Sequence, residues 1–236
     1  MSVRDPESPL TQLKRGNPKK NRRRLRRAFT DDELRWLIRA ATNRPEHCGV
    51  PGPVRGLLYR LVAETGLRQN EARTLTPEAF DLDGDPPTVT VHAAYAKAGR
   101  EDVVPLRSAT AADLRELVRD TPRGEQVFPI LMDHKQFMRI FRGDLEAAGV
   151  AYRDEDGWCA DFHALRYTFV TNLARGGITP KMAMDLARHR DINLTLARYS
   201  HTGVQDRARA LEALPDLRPQ PSVGSHPLSP PIHQGR

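Results

Sequence analysis

The stretch HALRYTF at residues 163–169 joins a basic pair to an apolar continuation. His163 and Arg166 lie three positions apart, so on a helix they occupy the same face. The apolar positions fall on another face, and they are Leu165, Phe169 and Leu173. The pattern predicts a helix over 163–175 whose apolar side packs on a core and whose basic side stays free.

Four further reactive side chains lie in short motifs before and after this helix. They are Arg68 in TGLRQNE, Lys97 in YAKAGR, His189 in ARHRD and Tyr199 in ARYSH. A phosphodiester gathers negative charge during substitution, and fixed cations can stabilise that charge. Arginine suits this role because its planar fork donates two parallel hydrogen bonds to a phosphate. The ordered set therefore indicates a tyrosine nucleophile that acts on a phosphodiester held by cations.

Each of these side chains also has an ordinary structural interpretation. Arg68 could form a surface pair with Glu71, three positions later on a helix. His163 could cap a helix, and Lys97 could be a solvated hairpin lysine. Tyr199 could be a half-buried aromatic. Taken singly, these interpretations are favoured, but the whole set in one basic chain favours the catalytic interpretation.

Charge and composition narrow the class of partner. The 236 residues include 37 Lys and Arg against 30 Asp and Glu, a formal charge of +7. This balance favours a polyanion such as nucleic acid, although charge alone leaves open a basic protein without such a partner. Cys48 and Cys159 form no spacing pattern and are expected to be free thiols. No apolar run reaches about 18 residues, so we expect a cytoplasmic, nucleoid-associated protein with no membrane partner.

One domain at 28–214 is expected between two segments that cannot form a core. Residues 1–27 are predicted to be a disordered basic arm, because the run KRGNPKKNRRRLRR at 14–27 repels itself. Contact with DNA or RNA is the favoured role of the arm, and a solubilising tail is the alternative. The residues of the arm that are expected to contact DNA are Lys14, Arg15, Lys19, Lys20, Arg22, Arg23, Arg24, Arg26 and Arg27. Residues 215–236 are rich in proline and are predicted to be a flexible tail.

The domain is predicted to be mainly α-helical with a small antiparallel β-hairpin, an α+β fold. The run TDDE at 30–33 is a capping box that starts the first helix. Further helical segments are predicted over 54–64, 68–75, 109–119, 134–148, 163–175, 179–188 and 204–214. Strands are predicted at 88–91 and 103–106, with Lys97 near the tip of the hairpin between them. Cys159 and His163 are four apart, but no second ligand pair accompanies them, so neither a metal nor a cofactor is expected.

Together these motifs resemble those of the tyrosine recombinases, or phage-type integrases. TGLRQNE at 65–71 resembles the family's first arginine box, and the hairpin ending REDVVPL at 100–106 resembles its catalytic-lysine hairpin. HALRYTF at 163–169 resembles its His-x-x-Arg box, and the segment from LARH at 186–189 to Tyr199 resembles its last histidine and nucleophile. The resemblance covers about residues 28–214 and implies the catalytic-domain fold of DNA breaking-rejoining enzymes.

The resemblance also implies a role for each residue. Tyr199 attacks the scissile phosphate, forms a 3′-phosphotyrosyl link and releases a 5′-hydroxyl, without metal or ATP. His163 is expected to assist removal of the tyrosine proton, and Lys97 to protonate the leaving oxygen. Glu71 is expected to orient the arginine site. The charged transition state is expected to be stabilised by Arg68, Arg166 and His189.

The sequence departs from the family's pattern in three places. Arg188 stands where many members have glycine, directly before the last histidine. His189 and Tyr199 are ten apart, where nine is common. The usual N-terminal core-binding domain is expected to be absent, which would reflect a truncated gene, a minimal recombinase or a wrong start.

Three functions remain open from the sequence. The first is a site-specific recombinase or integrase that acts on double-stranded DNA, expected to work as a homo-oligomer, a tetramer, on that DNA. The second is a nicking and rejoining activity like that of type IB topoisomerases. The third is a DNA-binding relative that no longer recombines.

Overall fold

The computed structural model describes residues 25–94, 99–129, 133–189 and 191–199, together with 208, 211 and 212; of residues 197–199 it describes the backbone alone. Residues 1–201 form one compact unit and residues 202–236 another. In the second unit Ala208, Leu211 and Glu212 have helical backbone. The remainder of the helix predicted over 204–214 lies outside the described residues.

The described part of the first unit is mainly helical, as predicted. Its helices are α1 (Asp31–Asn43), α2 (Gly52–Thr65), α3 (Gln69–Arg73), α4 (Ser108–Asp120), α5 (His134–Ala147), α6 (Phe162–Arg175), α7 (Pro180–Leu186) and α8 (Ile192–Tyr199). Its strands are β1 (Phe80–Asp81), β2 (Thr88–Val91) and β3 (Asp102–Pro105), with a single 3₁₀ turn at Pro77–Ala79 before β1. No helix among the described residues is both long and apolar enough to cross a membrane.

The small sheet is antiparallel throughout, with the strand order β1-β2-β3. The predicted hairpin corresponds to β2 and β3, in which Thr88 lies opposite Pro105 and Val91 opposite Asp102. Strand β1 was not predicted from the sequence, since two residues are too short to produce an alternating pattern. Residues 95–98, which include the predicted hairpin tip and Lys97, lie outside the described residues.

Helix α1 begins with the predicted capping box and packs closely on α2. Thr30 Oγ1 accepts a hydrogen bond from the Glu33 backbone, and the Glu33 side chain accepts one from the Thr30 backbone. Gly52, at the start of α2, lies against the end of α1, where a side chain would collide with the carbonyl oxygens of Thr42 and Arg44. The close approach of the two helices therefore requires glycine at this position.

The core between α2, α5 and α6 is built around aromatic rings in edge-to-face contact. Phe162 at the start of α6 contacts Phe137 and Phe141 of α5 as well as Tyr59 of α2. This arrangement suits the charge distribution of the rings and fixes their mutual orientation. It holds the first turn of α6, which carries His163, against α2, and Arg166 lies one turn further along the same helix.

A buried ion pair ties α2 to α5 beside these rings. Arg55 Nε donates to Asp144 Oδ2 at 3.0 Å, and both side chains are almost fully buried. The same carboxylate accepts from Tyr59 Oη at 2.9 Å and from Arg44 Nη1 at 3.2 Å. Because every carboxylate oxygen is paired, the buried charge is compensated, and removing one partner would leave the others uncompensated.

Three segments differ from their predicted form. The helix predicted over 179–188 ends at Leu186, because Arg188 adopts a left-handed backbone with φ of +53°. The helical segment predicted over 68–75 is the short helix Gln69–Arg73. Helix α8, which ends at Tyr199, was not predicted from the sequence.

Candidate active site

A glycine corner joins α2 to α3 and supplies a shared hydrogen-bond acceptor. Gly66 ends α2 in the left-handed conformation, with φ of +62°, and a side chain there would collide with the ring of Phe169 on α6. Its carbonyl accepts a hydrogen bond from Arg166 Nη1 and another from Arg188 Nη2 at 3.1 Å. The corner therefore brings two distant arginines to the end of α2.

Arg68 and Glu71 form a pair across the start of α3. Arg68 Nη1 donates to Glu71 Oε1 at 2.6 Å, and the Arg68 backbone N–H donates to Glu71 Oε2 at 2.9 Å. Glu71 is 1% exposed, so this is not an ordinary surface pair. Burial alone would raise the pKa of Glu71, but the guanidinium groups of Arg188 and Arg68 outweigh it and lower the pKa below its usual value. Glu71 is therefore a carboxylate at neutral pH.

Arg166 is buried, contrary to the expectation that the basic side of α6 stays free. Only 3% of the residue is exposed, and its guanidinium donates to the carbonyls of Gly66 and Ala187. The end of α2 and the end of α7 thus close over it, which sequence periodicity could not show. Burial, followed by the nearby charges of Arg68 and Arg188, lowers the pKa of Arg166 to about 9. It remains a cation at neutral pH.

His163 lies in the first turn of α6 but does not cap the helix. The cap is Asp161, which accepts a hydrogen bond from the Ala164 backbone and is held by Arg26 Nε at 2.8 Å. His163 has an exposed edge, while the rest of its ring lies against the protein. That partial desolvation, with the charges of Arg26 and Arg166, lowers the pKa of His163 to about 4. His163 is therefore neutral at pH 7 and able to accept a proton.

His189 is oriented by a residue that the sequence analysis did not identify. Its Nδ1 lies 2.9 Å from Thr195 Oγ1, and Thr195 is fully buried on α8. A hydrogen bond at one ring nitrogen fixes the orientation of the imidazole. Thr195 could have been found only by recognising α8 as a helix that folds back on this histidine.

Four of the six predicted catalytic residues line a single cavity of about 230 Å³. Its described lining consists of Arg68, His163, Arg166, Tyr167, Val170, His189 and Leu194, with no carboxylate. Such a set suits an oxyanion of the size of a phosphate group. A larger cavity, of about 560 Å³ between α1, α2 and α6, contains none of the predicted catalytic residues.

The other two predicted catalytic residues are not located at side-chain level. Lys97 lies outside the described residues. Tyr199 is the last residue of α8, the helix that carries Leu194 of the cavity wall, and its side chain lies outside the described part. Tyr167 lines the cavity, so a second tyrosine was missed as a candidate nucleophile. It belongs to the HALRYTF stretch and directly follows Arg166.

Of the nine cationic residues predicted to contact DNA, Arg26 and Arg27 are described, and both pair with carboxylates of the domain. Arg26 binds Asp161, and Arg27 Nη1 donates to Glu33 Oε2 at 2.7 Å. These contacts exist because Arg26 forms a bridge to Cys159, which places both arginines beside the starts of α1 and α6. The other cationic residues of the arm, from Lys14 to Arg24, lie outside the described residues.

The chain is similar in sequence to known tyrosine recombinases. Over 86 residues, the chain is 31% identical to the tyrosine recombinase XerC-like protein of Caldanaerobacter subterraneus subsp. tengcongensis. The aligned region covers 36% of this chain and 20% of that protein. Over 152 residues it is 26% identical to the tyrosine recombinase XerA of Saccharolobus solfataricus, which covers 64% of this chain and 46% of that protein. The chain thus matches less than half the length of either relative.

Solved structures share the fold. The crystal structure of XerA recombinase superposes with a TM-score of 0.59 at 20% identity, covering 88% of this chain and 68% of that one. The catalytic domain of bacteriophage HP1 integrase gives a TM-score of 0.56 at 20% identity, covering 80% of this chain and 95% of that one. The Tn1549 transposon integrase in complex with a circular intermediate DNA gives a TM-score of 0.62 at 16% identity, covering 80% of this chain and 66% of that one.

A family match supports the same assignment over most of the sequence. Residues 27–205 match the phage integrase family. The match begins before α1 and ends beyond α8, so it includes every residue of the candidate site. The chain therefore belongs to the phage integrase family.

Proposed function

We propose that this chain is the catalytic part of a site-specific DNA recombinase, which cleaves and rejoins double-stranded DNA through a 3′-phosphotyrosyl intermediate. The observation that carries the proposal is the cavity itself. Arg68, His163, Arg166 and His189 come from three separate sequence motifs, yet they line one cavity without a carboxylate among its described lining. Family membership and the likeness to integrases solved with DNA support the same function.

Arg68 and Arg166 are proposed to bind the non-bridging oxygens of the scissile phosphate. Arg166 is held by two backbone carbonyls, and Arg68 is held by Glu71, so both cations are fixed before DNA arrives. Preorganised cations stabilise the charge that develops in the transition state without reorganising at the moment of reaction. His189 is proposed to donate a hydrogen bond to the same phosphate from a ring that Thr195 holds in place.

The chemical step forms one bond and breaks one. The phenolic oxygen of Tyr199 attacks phosphorus, and the bond from phosphorus to the 5′-oxygen breaks. The tyrosine proton passes to His163, and Lys97 donates a proton to the leaving 5′-oxygen. Rejoining is the reverse reaction with the 5′-hydroxyl of another strand, so the phosphodiester bond energy is retained and no ATP or metal is required.

The low pKa of His163 is consistent with this role. Burial and the charges of Arg26 and Arg166 keep the imidazole neutral before DNA binds. A bound phosphodiester is an anion, and it would offset those cations and raise the pKa of His163 toward its ordinary value. The residue would thus become a stronger base once the substrate is in place.

DNA is proposed as the partner, with the catalytic chain acting as a tetramer on it at the nucleoid. The arm residues from Lys14 to Arg24 are proposed to bind phosphates of the duplex, which adds affinity without sequence information. The formal charge of +7 supports a polyanionic partner.

Covalent capture would test the proposal without knowledge of the target site. The purified chain is incubated, in EDTA, with randomly nicked genomic DNA from its source organism, and the protein is then recovered under denaturing conditions. If the chain is a recombinase, it should retain DNA fragments that share a common sequence when they are sequenced. The Tyr199→Phe variant should retain no DNA. Absence of covalent DNA with native binding intact would instead indicate a DNA-binding relative. Covalent DNA without a common site, together with relaxation of supercoiled plasmid, would indicate topoisomerase-like activity.

A further inference from the structure

Arg188 has an unusual backbone for a residue with a side chain. Its φ is +53°, in the left-handed region that favours glycine, and Cys48 is the other non-glycine residue with positive φ among those described. Cys48 is exposed, whereas Arg188 is 5% exposed. Something in the structure must therefore hold Arg188 in this conformation.

Both ends of Arg188 contact the loop that carries Arg68. Its carbonyl accepts a hydrogen bond from Arg68 Nη2 at 3.1 Å. Its guanidinium donates to Glu71 Oε2 at 3.0 Å and to the Gly66 carbonyl at 3.1 Å. One residue thus links the segment that begins with His189 to the first arginine box.

Arg188 also brings costs to the stability of the fold. The left-handed backbone disfavours any side chain, and the guanidinium is a charge removed from water. The Arg188 Nε is also buried without a hydrogen-bond partner among the described residues. A glycine at this position would remove all three costs, but it would leave the buried Glu71 carboxylate with Arg68 as its one guanidinium partner, so the contact with Glu71 must offset them.

The charge balance of the site gives a reason for an arginine at position 188. Arg68 paired with Glu71 alone would be an electrically neutral unit facing the cavity. With Arg188 on its other oxygen, the Glu71 carboxylate is shared by two guanidinium groups, so the trio keeps a positive charge beside the phosphate site. Arg188 itself does not line the cavity, so it acts through Glu71 and Arg68.

We propose that Arg188 is a positioning residue, which binds the far side of Glu71 and holds Arg68 through its carbonyl so that the Arg68 guanidinium faces the scissile phosphate with its charge available. This inference rests on the proposed function of the same site. It assigns a role to the position at which the sequence departs from the glycine of many family members.

If Arg188 positions Glu71 and Arg68, its removal should change the pH at which Glu71 is protonated. The charged groups that act on Glu71 are Arg68 and Arg188, with Arg166 close by on α6, and Asp102 of β3 acts on Arg188. Burial raises the pKa of Glu71, and Arg188 is the leading charge that lowers it. Removing Arg188 should therefore raise the pKa of Glu71, so that the carboxylate protonates at a higher pH than in the native chain.

The test compares Arg188→Gly and Arg188→Lys in the full chain. Glycine accepts the left-handed backbone, so Arg188→Gly should fold. Its melting temperature at neutral pH should be lower, because the buried Glu71 carboxylate loses one of its two guanidinium partners. On the duplex recovered by covalent capture, its cleavage should fall on the order of a hundredfold, since a misplaced binding group costs about that much. The acidic limb of its pH–rate profile should move to higher pH, and Arg188→Lys should move it back because the charge returns. The control Cys48→Gly relieves the same backbone conformation at an exposed site. It should change neither the cleavage rate nor the acidic limb of the pH–rate profile.

A second measurement keeps this claim separate from the proposed function. The carboxyl carbon of Glu71, identified by its loss in Glu71→Gln, is titrated by NMR in the free protein. A higher titration midpoint in Arg188→Gly than in the native chain supports the positioning role. An unchanged midpoint together with native cleavage overturns it. If the native chain forms no covalent DNA at all, the proposed function fails, and the NMR midpoint alone still decides whether Arg188 controls Glu71.

Discussion

Arg166 and Arg188 both donate hydrogen bonds to the carbonyl of Gly66. This shared acceptor fixes the positions of both residues in the site. The sequence identified Arg68, His163, Arg166 and His189 as one set, because their motifs follow the family's order. It did not predict that Arg166 is buried, since helical periodicity places it on the same face as His163. It also marked Arg188 as a departure without indicating that its guanidinium reaches Glu71.

His163 should titrate far below the ordinary range of histidine. Its pKa is lowered from 6.5 to about 4 by desolvation and by neighbouring arginines. The unfolded chain therefore binds a proton more readily than the folded one between those values, and this group makes folding less favourable as pH falls through that window. NMR titration of the imidazole in the free protein should give a midpoint near the lower value. Addition of target duplex should raise the midpoint, and a midpoint at or above the ordinary value without DNA would contradict the account of the site.

Lys97 is predicted to act on the leaving group. Lys97→Ala should slow cleavage strongly when the leaving group is a normal 5′-oxygen, because that oxygen needs a proton. A 5′-thio leaving group needs none, so the variant should cleave a thio-substituted duplex at nearly the native rate. The comparison of the two substrates is made with native chain and variant in parallel. Equal loss on both would show that Lys97 is not the acid.

At the element scale, the site depends on how α6 and α8 meet the corner after α2. The helices α2, α4, α5 and α6 and the β2–β3 hairpin were predicted close to their observed bounds, because their apolar periodicity is strong. Helix α8 was not predicted, since its eight residues include Asn and Thr, which have low helix propensity. Its position is set by packing on α6 and α7, which a local pattern does not encode.

The corner itself should tolerate no side chain. Gly66→Ala should destabilise the chain by roughly 2–4 kcal/mol, combining the cost of a left-handed alanine with the collision against Phe169. Gly149→Ala is a matched control, because Gly149 also has positive φ but open space where a side chain would lie. It should lose only about 1 kcal/mol. Urea unfolding of the two variants measures the difference, and equal losses would exclude steric closure of the corner by α6.

At the scale of the whole molecule, DNA affinity is expected to come largely from non-specific phosphate contacts. Each phosphate contact that a cation makes adds about 0.9 to the slope of log affinity against log salt. Arg26 and Arg27 pair with the domain, so a deletion that tests the arm should stop at residue 24. The chain is expected to bind weakly, with strong salt dependence and little site preference.

Deletion of residues 1–24 should therefore flatten the salt dependence of binding. Replacement of Lys14, Arg15, Lys19, Lys20, Arg22, Arg23 and Arg24 by glutamine should have the same effect at unchanged length, which separates charge from chain. Fluorescence anisotropy with an unrelated duplex over a series of salt concentrations gives the slope. An unchanged slope would remove the arm from the interface, and tight, site-specific binding of the deleted chain at physiological salt would show that the domain supplies recognition by itself.

The proposed function requires a covalent intermediate on Tyr199, and mass spectrometry of the trapped adduct can locate it. Trypsin should release residues 199–207 as a peptide that begins with Tyr199, while Tyr59, Tyr95, Tyr152 and Tyr167 fall in other peptides. After nuclease digestion of the captured DNA, we expect a nucleotide attached to the peptide 199–207 and no adduct from Tyr199→Phe. A nucleotide attached to the peptide that begins with Tyr167, the tyrosine that lines the cavity, would contradict the assignment of the nucleophile.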